Sequence, residues 1–322
     1  MKKLRLFSVI MLMLLGIGII SGCRNRNNVL DEAEVSSNDE KDSEPKQYAS
    51  WKIEGDTLII YGNGDMEDYE QIEDENGTRI TTPWYEHNNE IMNIVVENGV
   101  TSIGNYAFTY SKVNTIELPE SIKKIGDKAF HGSWITEIKL PEGLESIGAY
   151  SFSSCFLPEI ELPKSLKYVG EGAFGNIPKV TSNSSNYVVK GNALYDKDET
   201  ILLWVDRSAK EITLPSTLEI IGDNTFNESK IIEIVFPDSV KIIGKNTFYG
   251  CQNLREVTLS KKLESIGDFA FLNCIYIRSI TIPKSVKNIG EYAFNKVDKF
   301  IVTEGSYAES WAKEQGYNYT YK

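Results

Sequence analysis

One short sequence word recurs along the chain and constrains its fold more than any other feature. The word is Ile-Gly-x-x-(Ala/Ser/Thr)-Phe, once with Val169 in place of Ile, and it occurs eight times. The steps between successive phenylalanines are 22, 22, 22, 52, 22, 23 and 23 residues. The phenylalanines are Phe108, Phe130, Phe152, Phe174, Phe226, Phe248, Phe271 and Phe294. A unit of about 22 residues cannot close a hydrophobic core alone, so neighbouring units must stack to bury it.

A second word, x-Ile-x-Leu-Pro, precedes the first in most units. Ile116-Glu117-Leu118-Pro119 is one example, and Val257-Thr258-Leu259 keeps the alternation with Ser260 in place of Pro. Apolar residues at every second position, followed by Pro, predict a short strand with one buried face. Each unit is therefore predicted to contain this first strand, a second short extended stretch, a sharp turn at Gly, and a brief helical turn that inserts Phe into the core.

The two words together resemble the leucine-rich repeats of the BspA type, which occur on bacterial and some protozoan surfaces. The resemblance extends from about residue 50 to residue 322. It implies a mainly β solenoid, a right-handed stack of leucine-rich repeats with short helical turns, an N-terminal β-hairpin cap and a C-terminal helix cap. The repeats then occupy residues 99–298. A hairpin insert at about 177–210, built around the polar turn Asp196-Lys197-Asp198-Glu199, explains the 52-residue step as one normal unit plus about 30 residues.

Both ends of the repeat region fit capping elements, which a solenoid needs because its last unit would otherwise expose the core. Residues 50–98, which contain Trp51 and Trp84, resemble the N-terminal cap hairpin and first strand of the family. In the predicted C-terminal cap at 299–322, Ser306 and Glu309 have the spacing of a capping box. This spacing predicts a helix that runs to about Gln315 and stops at Gly316.

The N-terminus carries an export signal. Three basic residues within the first five positions precede an apolar run over 6–20, which has the length of a signal-peptide core. The run ends in Ile20-Ser21-Gly22-Cys23, which resembles the lipobox of bacterial lipoproteins. The resemblance implies removal of residues 1–22 and an extracytoplasmic protein at the cell surface, held to the membrane by lipid on Cys23. The alternative is an ordinary signal peptide with a chance cysteine. Residues 23–49 are rich in Asp, Glu, Ser and Lys, which predicts a disordered tether.

Charge and composition argue against several classes of function. A net charge of -12 disfavours nucleic-acid binding, because neutralising phosphates requires clustered Lys and Arg. The chain has only two histidines, His87 and His131, so it has few of the side chains that usually bind metals or act in acid–base chemistry. The sequence also lacks a Gly-rich phosphate loop and a nucleophile elbow. We therefore predict no catalytic activity, no cofactor and no metal; an enzyme would need a catalytic group in the hairpin insert, where none is visible.

The strongest candidate for a binding surface is a set of acidic residues in front of the first strands. The residue before the first-strand apolar position is Glu in five units, and we call this set the acidic column: Glu137, Glu159, Glu211, Glu233 and Glu256. Like charges stacked in a column repel one another unless a nearby cation compensates their charge. The column therefore either faces a basic partner or a cation, or forms a solvated edge that keeps the sheet soluble.

The second extended stretch shows a different charge pattern. Its outward position alternates in sign from unit to unit, through Lys123, Glu145, Lys167, Glu219, Lys241, Glu264 and Lys287. Equivalent residues of stacked units lie about 4.8 Å apart, so alternation places opposite charges side by side. This pattern indicates a surface ladder that fixes the register of the units rather than a binding site.

Three cysteines occupy the same place in their units, three residues after the repeat phenylalanine. They are Cys155, Cys251 and Cys274, and other units hold Ser, Ile or Val there. A position that accepts these residues is predicted to be a small buried slot of the core. Because Cys251 and Cys274 lie in adjacent units of an exported protein, a disulfide between them is an open alternative.

Several aromatic residues outside the two words are candidates for surface recognition, since aromatic side chains are common at binding interfaces. They are Tyr110, Trp134, Phe156, Tyr168, Trp204, Tyr249 and Tyr276. The sequence as a whole predicts a surface lipoprotein that recognises a protein or glycan partner through its repeat face, as in adhesion. The alternative is a structural or assembly component of the cell envelope without an external ligand. Fold-level resemblance does not name the ligand.

Overall fold

The computed structural model describes residues 48–74 and 77–322, and these residues form the predicted solenoid of stacked repeats. The predicted signal peptide, Cys23 and all but the last two residues of the predicted tether lie outside the described residues. Those last two residues, Tyr48 and Ala49, pair with Asp65 next to the first unit.

Within the described residues the chain forms 26 strands, one 3-10 turn at Tyr85–His87 and one α-helix. The N-terminal strands are β1 Ser50–Glu54, β2 Thr57–Tyr61, β3 Gly64–Asp65, β4 Gln71–Asp74, β5 Gly77–Ile80, β6 Asn93–Val96 and β7 Val100–Ile103. The next four units contribute β8 Thr115–Glu117, β9 Lys124–Ile125, β10 Glu137–Lys139, β11 Ser146–Ile147, β12 Ile160–Leu162, β13 Tyr168–Val169 and β14 Val180–Ser182. The insert forms β15 Tyr187–Lys190, β16 Ala193–Asp196 and β17 Ile201–Val205. The last part contains β18 Ile220–Ile221, β19 Glu233–Val235, β20 Ile242–Ile243, β21 Glu256–Thr258, β22 Ser265–Ile266, β23 Ser279–Thr281, β24 Asn288–Ile289, β25 Lys299–Val302, α1 Tyr307–Gln315 and β26 Tyr319–Tyr321.

Each plain unit contributes one strand to each of two sets of parallel strands. The first strands pair in register from unit to unit, as where Ile116 of β8 lies opposite Ile138 of β10. The second strands do the same, as where Ile125 of β9 lies opposite Ile147 of β11. Because equivalent residues lie side by side, the buried apolar positions line up from unit to unit, and they form two core clusters, one before and one after the insert.

The repeat phenylalanines fill this interior, as predicted. All eight are buried, with at most 2% of each residue exposed. Neighbouring rings lie close together in two runs, Phe108 to Phe152 and Phe226 to Phe294, with centroids 5.3 Å apart for Phe130 and Phe152 and 5.0 Å apart for Phe248 and Phe271. Trp84 of the N-terminal cap continues this stack, with its ring 6.1 Å from that of Phe108. The aromatic column therefore supplies contact between units in addition to the burial of apolar surface.

The segment between Gly and Phe forms consecutive i→i+3 turns rather than a continuous helix. In the first unit, the N–H of Thr109 donates to the carbonyl of Tyr106, while Tyr106 and Tyr110 adopt left-handed φ values of 56° and 59°. Gly104 has an ordinary φ, but a Cβ there would collide with the carbonyl oxygen of Glu67. The repeat glycine is therefore required by the close approach of two units, and the left-handed turn falls two residues later.

Both predicted caps are present. At the N-terminal end, β1 and β2 form an antiparallel hairpin, and β2 pairs in parallel with β6. At the C-terminal end, the Ser306 hydroxyl accepts the Glu309 N–H at 3.3 Å, and Gly316 ends α1 with a left-handed φ of 74°. The helix buries Trp311 against Phe294 and Phe300, so it covers the core of the last unit.

The insert differs in detail from the predicted hairpin of two runs. It is a three-stranded antiparallel meander, because Gly191, with a φ of 58°, breaks the first run into β15 and β16. Strand β17 then pairs in parallel with β18 and so takes the place of a second strand. Trp204 on β17 is buried, 30 residues after Phe174 and 22 before Phe226.

Candidate recognition face

The acidic column lies on the outward face of the first strands, where all five glutamates are exposed. Glu233 and Glu256 are direct neighbours in the register of β19 and β21. Glu211 precedes the corresponding segment of the insert unit, whose Lys210 carbonyl accepts the Ile232 N–H. The structure thus brings Glu211, Glu233 and Glu256 into three consecutive units, and we call these three residues the acidic triplet.

The acidic column is interrupted by a lysine, which lies between Glu137 and Glu159 on one side and the acidic triplet on the other. Lys179 lies opposite the Glu159 position in the pairing of β12 with β14, and its Nζ lies 2.6 Å from Glu159 Oε2. The sequence did not reveal this partner, because Lys179 lies at the start of the insert, where the repeat spacing is lost. Glu159 is therefore neutralised within the protein. The acidic triplet and Glu137 form no ion pair or side-chain hydrogen bond within residues 48–74 and 77–322.

An uncharged stripe runs beside the acidic triplet. Two residues after each glutamate of the triplet lie Thr213, Val235 and Thr258, all exposed, and we call these residues the β-branched stripe. Val235 is 65% exposed although it is apolar, so it is available for contact with a partner. In the N-terminal units the same position holds charged residues instead, namely Glu117, Lys139 and Glu161.

The insert forms one wall of a concavity beside the acidic triplet. Its lining combines Glu211, Thr213 and Glu233 of the first-strand face with Lys190 and Asn192 of the β15–β16 hairpin, and its volume is about 570 Å³. Lys190 is itself paired with Glu199, so it leaves the negative charge of the face uncompensated. A second concavity of about 520 Å³ lies on the same face around Glu117, Glu137 and Lys139.

The second strands carry the alternating ladder that the sequence predicts. Lys167 pairs with Glu145, Lys241 with Glu219 and Lys287 with Glu264, each at 2.8 Å. The hydrogen bond from Lys167 lowers the pKa of Glu145, and the one from Lys287 lowers the pKa of Glu264. Carboxylates on this face are therefore matched by cations of the same protein, unlike the acidic triplet.

Most of the candidate aromatic residues are exposed, but not all. Tyr110, Trp134, Phe156, Tyr168 and Tyr276 are at least half exposed. Tyr249 is half-buried, and Trp204, expected as a surface candidate, is 3% exposed, so that expectation was wrong. The Trp204 side chain belongs to the same buried cluster as Phe174, and its Nε1–H donates to the Ile177 carbonyl at 3.0 Å.

The cysteine slot is buried, as predicted. Cys155, Cys251 and Cys274 are free thiols with at most 2% exposure, so the structure contains no disulfide between Cys251 and Cys274. Each Sγ donates to a carbonyl of the neighbouring unit, as Cys155 does to Phe130 at 2.9 Å. Burial raises the pKa of the Cys155 thiol to about 11.

We expect Cys155 to resist alkylation in the folded protein. The thiolate is the reactive form, and a pKa about two units above the ordinary value lowers its population about 100-fold at pH 8. Iodoacetamide labelling read by peptide mass spectrometry should show this protection, which unfolding in urea should abolish. Equal labelling rates in the folded and unfolded chain would contradict a buried slot.

The described residues contain no cluster of three or more His, Cys, Asp or Glu side chains with the geometry to hold a metal ion. His87 pairs with Glu90 at 3.1 Å, and His131 packs against the Tyr110 ring. In the same part of the chain, no helix combines the length and the apolar character that crossing a membrane requires.

The stacked parallel strands, the buried aromatic column and the exposed first-strand face define a leucine-rich-repeat solenoid. The family of the BspA type leucine-rich repeat region matches the sequence in six copies over residues 78–198 and 206–300. The chain belongs to this family. The gap between the two matched ranges falls in the insert, where β17 leads into the next unit.

Two solved structures share the fold. A leucine-rich repeat protein from Eubacterium ventriosum is 22% identical, with a TM-score of 0.51 over 75% of this chain and 90% of that one. A leucine-rich cell surface protein from Faecalibacterium prausnitzii is 17% identical, with a TM-score of 0.57 over 88% of this chain and 96% of that one. A comparison with curated proteins found no match to this sequence.

Proposed function

We propose that the protein is a non-enzymatic surface module that binds a protein partner through the acidic triplet and the β-branched stripe. The partner presents Lys or Arg side chains around a small apolar contact that covers Val235. The observation that carries the proposal is that three exposed carboxylates stand in consecutive units without any cation among the described residues to pair with them.

The charge arrangement favours a cationic partner on energetic grounds. Carboxylates on neighbouring strands, whose backbones lie about 4.8 Å apart, repel one another, and a partner cation placed between them relieves this repulsion on binding. The alternating ladder shows that the same solenoid pairs its carboxylates where they serve the stack. The unpaired acidic triplet, in contrast, contributes nothing to the stack, which supports a role toward an external partner.

The scaffold is suited to passive recognition. Glu233 and Val235 lie on β19, whose inward neighbour Ile234 is buried, as is Phe236 directly after the strand, and Glu256 and Thr258 lie on the adjacent strand β21. A face held in this way loses little conformational entropy on binding, because its geometry is already fixed. Specificity then comes from the side chains at the variable outward positions.

The proposal places the protein outside the cytoplasm at the cell surface, held to the membrane by lipid on Cys23 and acting in adhesion. The predicted signal and lipobox support this placement, and the similar structure from Faecalibacterium prausnitzii is described as a cell surface protein. Fatty-acid labelling of cells tests the anchor. The label should be lost in Cys23→Ser, and a Cys23→Ser protein that keeps the label would refute the anchor.

The binding proposal is tested by probing an array of extracellular matrix proteins and glycans with the folded protein. We expect retention of basic proteins, with a signal that falls as the salt concentration rises, because surface charges are screened beyond roughly 8 Å at physiological ionic strength. Retention of glycans alone, independent of salt, would contradict a charged protein partner. Retention of nothing would favour a structural role in the envelope.

A further inference from the structure

The loop that follows Phe248 is one residue longer than the loop of a plain unit. Ile234 of β19 and Val257 of β21 are partners in the strand register. Ile234 lies eight residues after Phe226, whereas Val257 lies nine residues after Phe248. The 23-residue step after Phe248 therefore comes from an extra residue between the repeat phenylalanine and the first strand.

The extra residue takes this loop out of the stack. In a plain unit, the residue four positions after the repeat phenylalanine donates its N–H to the preceding unit, as Trp134 does to the Ser111 carbonyl at 2.8 Å. Gln252 occupies this position after Phe248, but its N–H donates to the Gly250 carbonyl of its own loop at 2.7 Å. The loop therefore does not cover the preceding unit as the loop of a plain unit does.

An open concavity of about 410 Å³ lies between the loop and the preceding unit. This volume falls within the range of sites for small ligands, roughly 300–1,000 Å³. We call the concavity the amide pocket, because three of its side chains are amides. Its main polar side chains are those of Glu228, Lys230, Tyr249, Gln252, Asn253 and Asn273.

The amides of this pocket have hydrogen-bonding capacity that the fold does not use. Gln252 and Asn253 are exposed, and neither side chain forms a hydrogen bond within the described part of the chain. The Asn273 Oδ1 accepts a hydrogen bond from Asn295 Nδ2 at 3.0 Å, so its own amide nitrogen stays available. Each amide side chain can both donate and accept, and so can a hydroxyl group. The pocket is therefore suited to a ligand with several hydroxyl groups.

Tyr249 adds an aromatic surface to the amide pocket. Its side chain is half-buried, and its backbone carbonyl accepts the Glu228 N–H at 2.7 Å, which fixes the residue against the preceding unit. The Tyr249 hydroxyl has no hydrogen-bond partner among the described residues. A tyrosine side chain combines an apolar ring with a polar tip. A sugar ring has the matching character, with apolar C–H groups beside its hydroxyls.

The charges in the amide pocket favour an uncharged ligand. Glu228 is paired with Arg207 at 3.1 Å. Lys230 has no ion-pair partner in the described chain, but one ammonium group is not the cluster of cations that recognises an acidic ligand. The protein as a whole has a net charge of -12, which also opposes binding of an anion.

We propose that the amide pocket is a second binding site, which takes an uncharged glycan. The amides of Gln252, Asn253 and Asn273 bind sugar hydroxyls, and the Tyr249 ring packs against a sugar ring. A peptide fits less well, because Tyr249 is the only aromatic or large aliphatic side chain in the lining that could anchor it. Asn253 lies three residues before Glu256, so the pocket adjoins the acidic triplet while it recognises a different ligand.

A ligand-observed NMR titration of the full chain tests the proposal. The probes are neutral hexasaccharides of glucose, mannose, galactose and N-acetylglucosamine, with a Gly-Ser peptide of similar length for comparison. At least one sugar should bind with a Kd of about 1 mM or tighter, and added salt should not weaken it, because no ion pair forms. Failure of all the sugars to bind, or binding of the peptide alone, would overturn the proposal.

Alanine variants locate the site. Gln252→Ala combined with Asn253→Ala should weaken sugar binding at least about tenfold, because two hydrogen-bonding groups are lost. Stability in urea should stay unchanged, since neither side chain has a partner in the described chain.

Asn114→Ala is the matched control, because Asn114 is an exposed amide in the corresponding loop of a plain unit. This variant should bind the sugar within about twofold of the wild type. The variant with Gln at Glu211, Glu233 and Glu256 should do the same, which separates this site from the acidic triplet. Wild-type affinity in the Gln252 and Asn253 double variant, or an equal loss in Asn114→Ala, would refute the amide pocket as the site.

Discussion

Replacing Phe248 by Ala should destabilise the protein by about 3–5 kcal/mol, the range typical of large-to-small changes in a packed core. Phe248 is fully buried, and its ring lies 4.7 Å from that of Phe226, 5.0 Å from that of Phe271 and 5.9 Å from that of Phe236. Loss of the ring leaves a cavity between units that the hydrogen-bonded turns on either side keep from collapsing. Urea unfolding followed by far-UV circular dichroism measures the change in the free energy of unfolding.

Phe156→Ala is the matched control, because it removes the same side chain from the neighbourhood of a repeat phenylalanine. Phe156 is 65% exposed, so its removal should change the free energy of unfolding by no more than about 0.5 kcal/mol. Equal effects of the two substitutions would show that burial in the aromatic column is not what holds the units together.

Replacing Gly170 by Ala should cost at least about 3 kcal/mol, the upper end of what overpacking costs. A Cβ at Gly170 would collide with the backbone nitrogen of Ala149 and lie 2.6 Å from the carbonyl carbon of Gly148. These atoms belong to the backbone of the preceding unit, so they cannot move aside without separating the two units. The same unfolding measurement applies, and the loss of stability should be accompanied by weaker protection of the Phe152 turn in hydrogen exchange.

Gly143→Ala serves as the control for an added methyl group. A Cβ at Gly143 would meet first the flexible Lys123 ammonium group, which can move into solvent, and would lie 3.4 Å from the Glu120 carbonyl oxygen, an ordinary van der Waals contact. We expect a change of no more than about 0.5 kcal/mol there. If Gly170→Ala is tolerated as well as Gly143→Ala, the repeat glycine is not needed for close packing of the units.

The stacking could be predicted from the sequence because each unit repeats the same local physics. Apolar residues at every second position before Pro indicate a half-buried strand, and a phenylalanine at a constant step indicates a stacked interior. Ser306, Glu309 and Gly316 likewise fix the ends of α1 through local hydrogen bonding and backbone conformation. Predictions of this kind depend only on residues that lie close together in the sequence, within about one repeat unit.

Features that depend on contacts between units were not predictable in the same way. The repeat glycine is required because the backbone of the preceding unit lies close to it, not because of its own φ. The left-handed φ falls instead on residues such as Tyr106 and Asn246, where the sequence has no glycine to indicate it. Trp204 was expected at the surface because it lies in the insert, where the repeat spacing that marks the buried aromatic residues is lost. The break in the repeat at the insert unit likewise appears in the sequence only as a 52-residue step between Phe174 and Phe226.

The candidate site was predicted in part. The positions of the five glutamates in front of the first strands follow from the alternation of the strand. Whether each carboxylate has a partner does not, because Lys179 lies outside the repeat spacing. The exposed Val235 and the wall formed by the insert also emerge only from the assembled structure. The sequence therefore proposes the face, and the unpaired carboxylates in the structure narrow that proposal to the acidic triplet.

The affinity of the acidic-triplet variant for a retained basic protein tests the central claim most directly. The variant Glu211→Gln, Glu233→Gln, Glu256→Gln should bind at least about tenfold more weakly than the wild type, which corresponds to about 1.4 kcal/mol, and its binding should depend less on salt. A control variant with Gln at Glu145, Glu219 and Glu264 loses the same number of charges from the opposite strands and should bind within about twofold of the wild type. Wild-type affinity in the triplet variant, or equal weakening in both variants, would contradict recognition through this face.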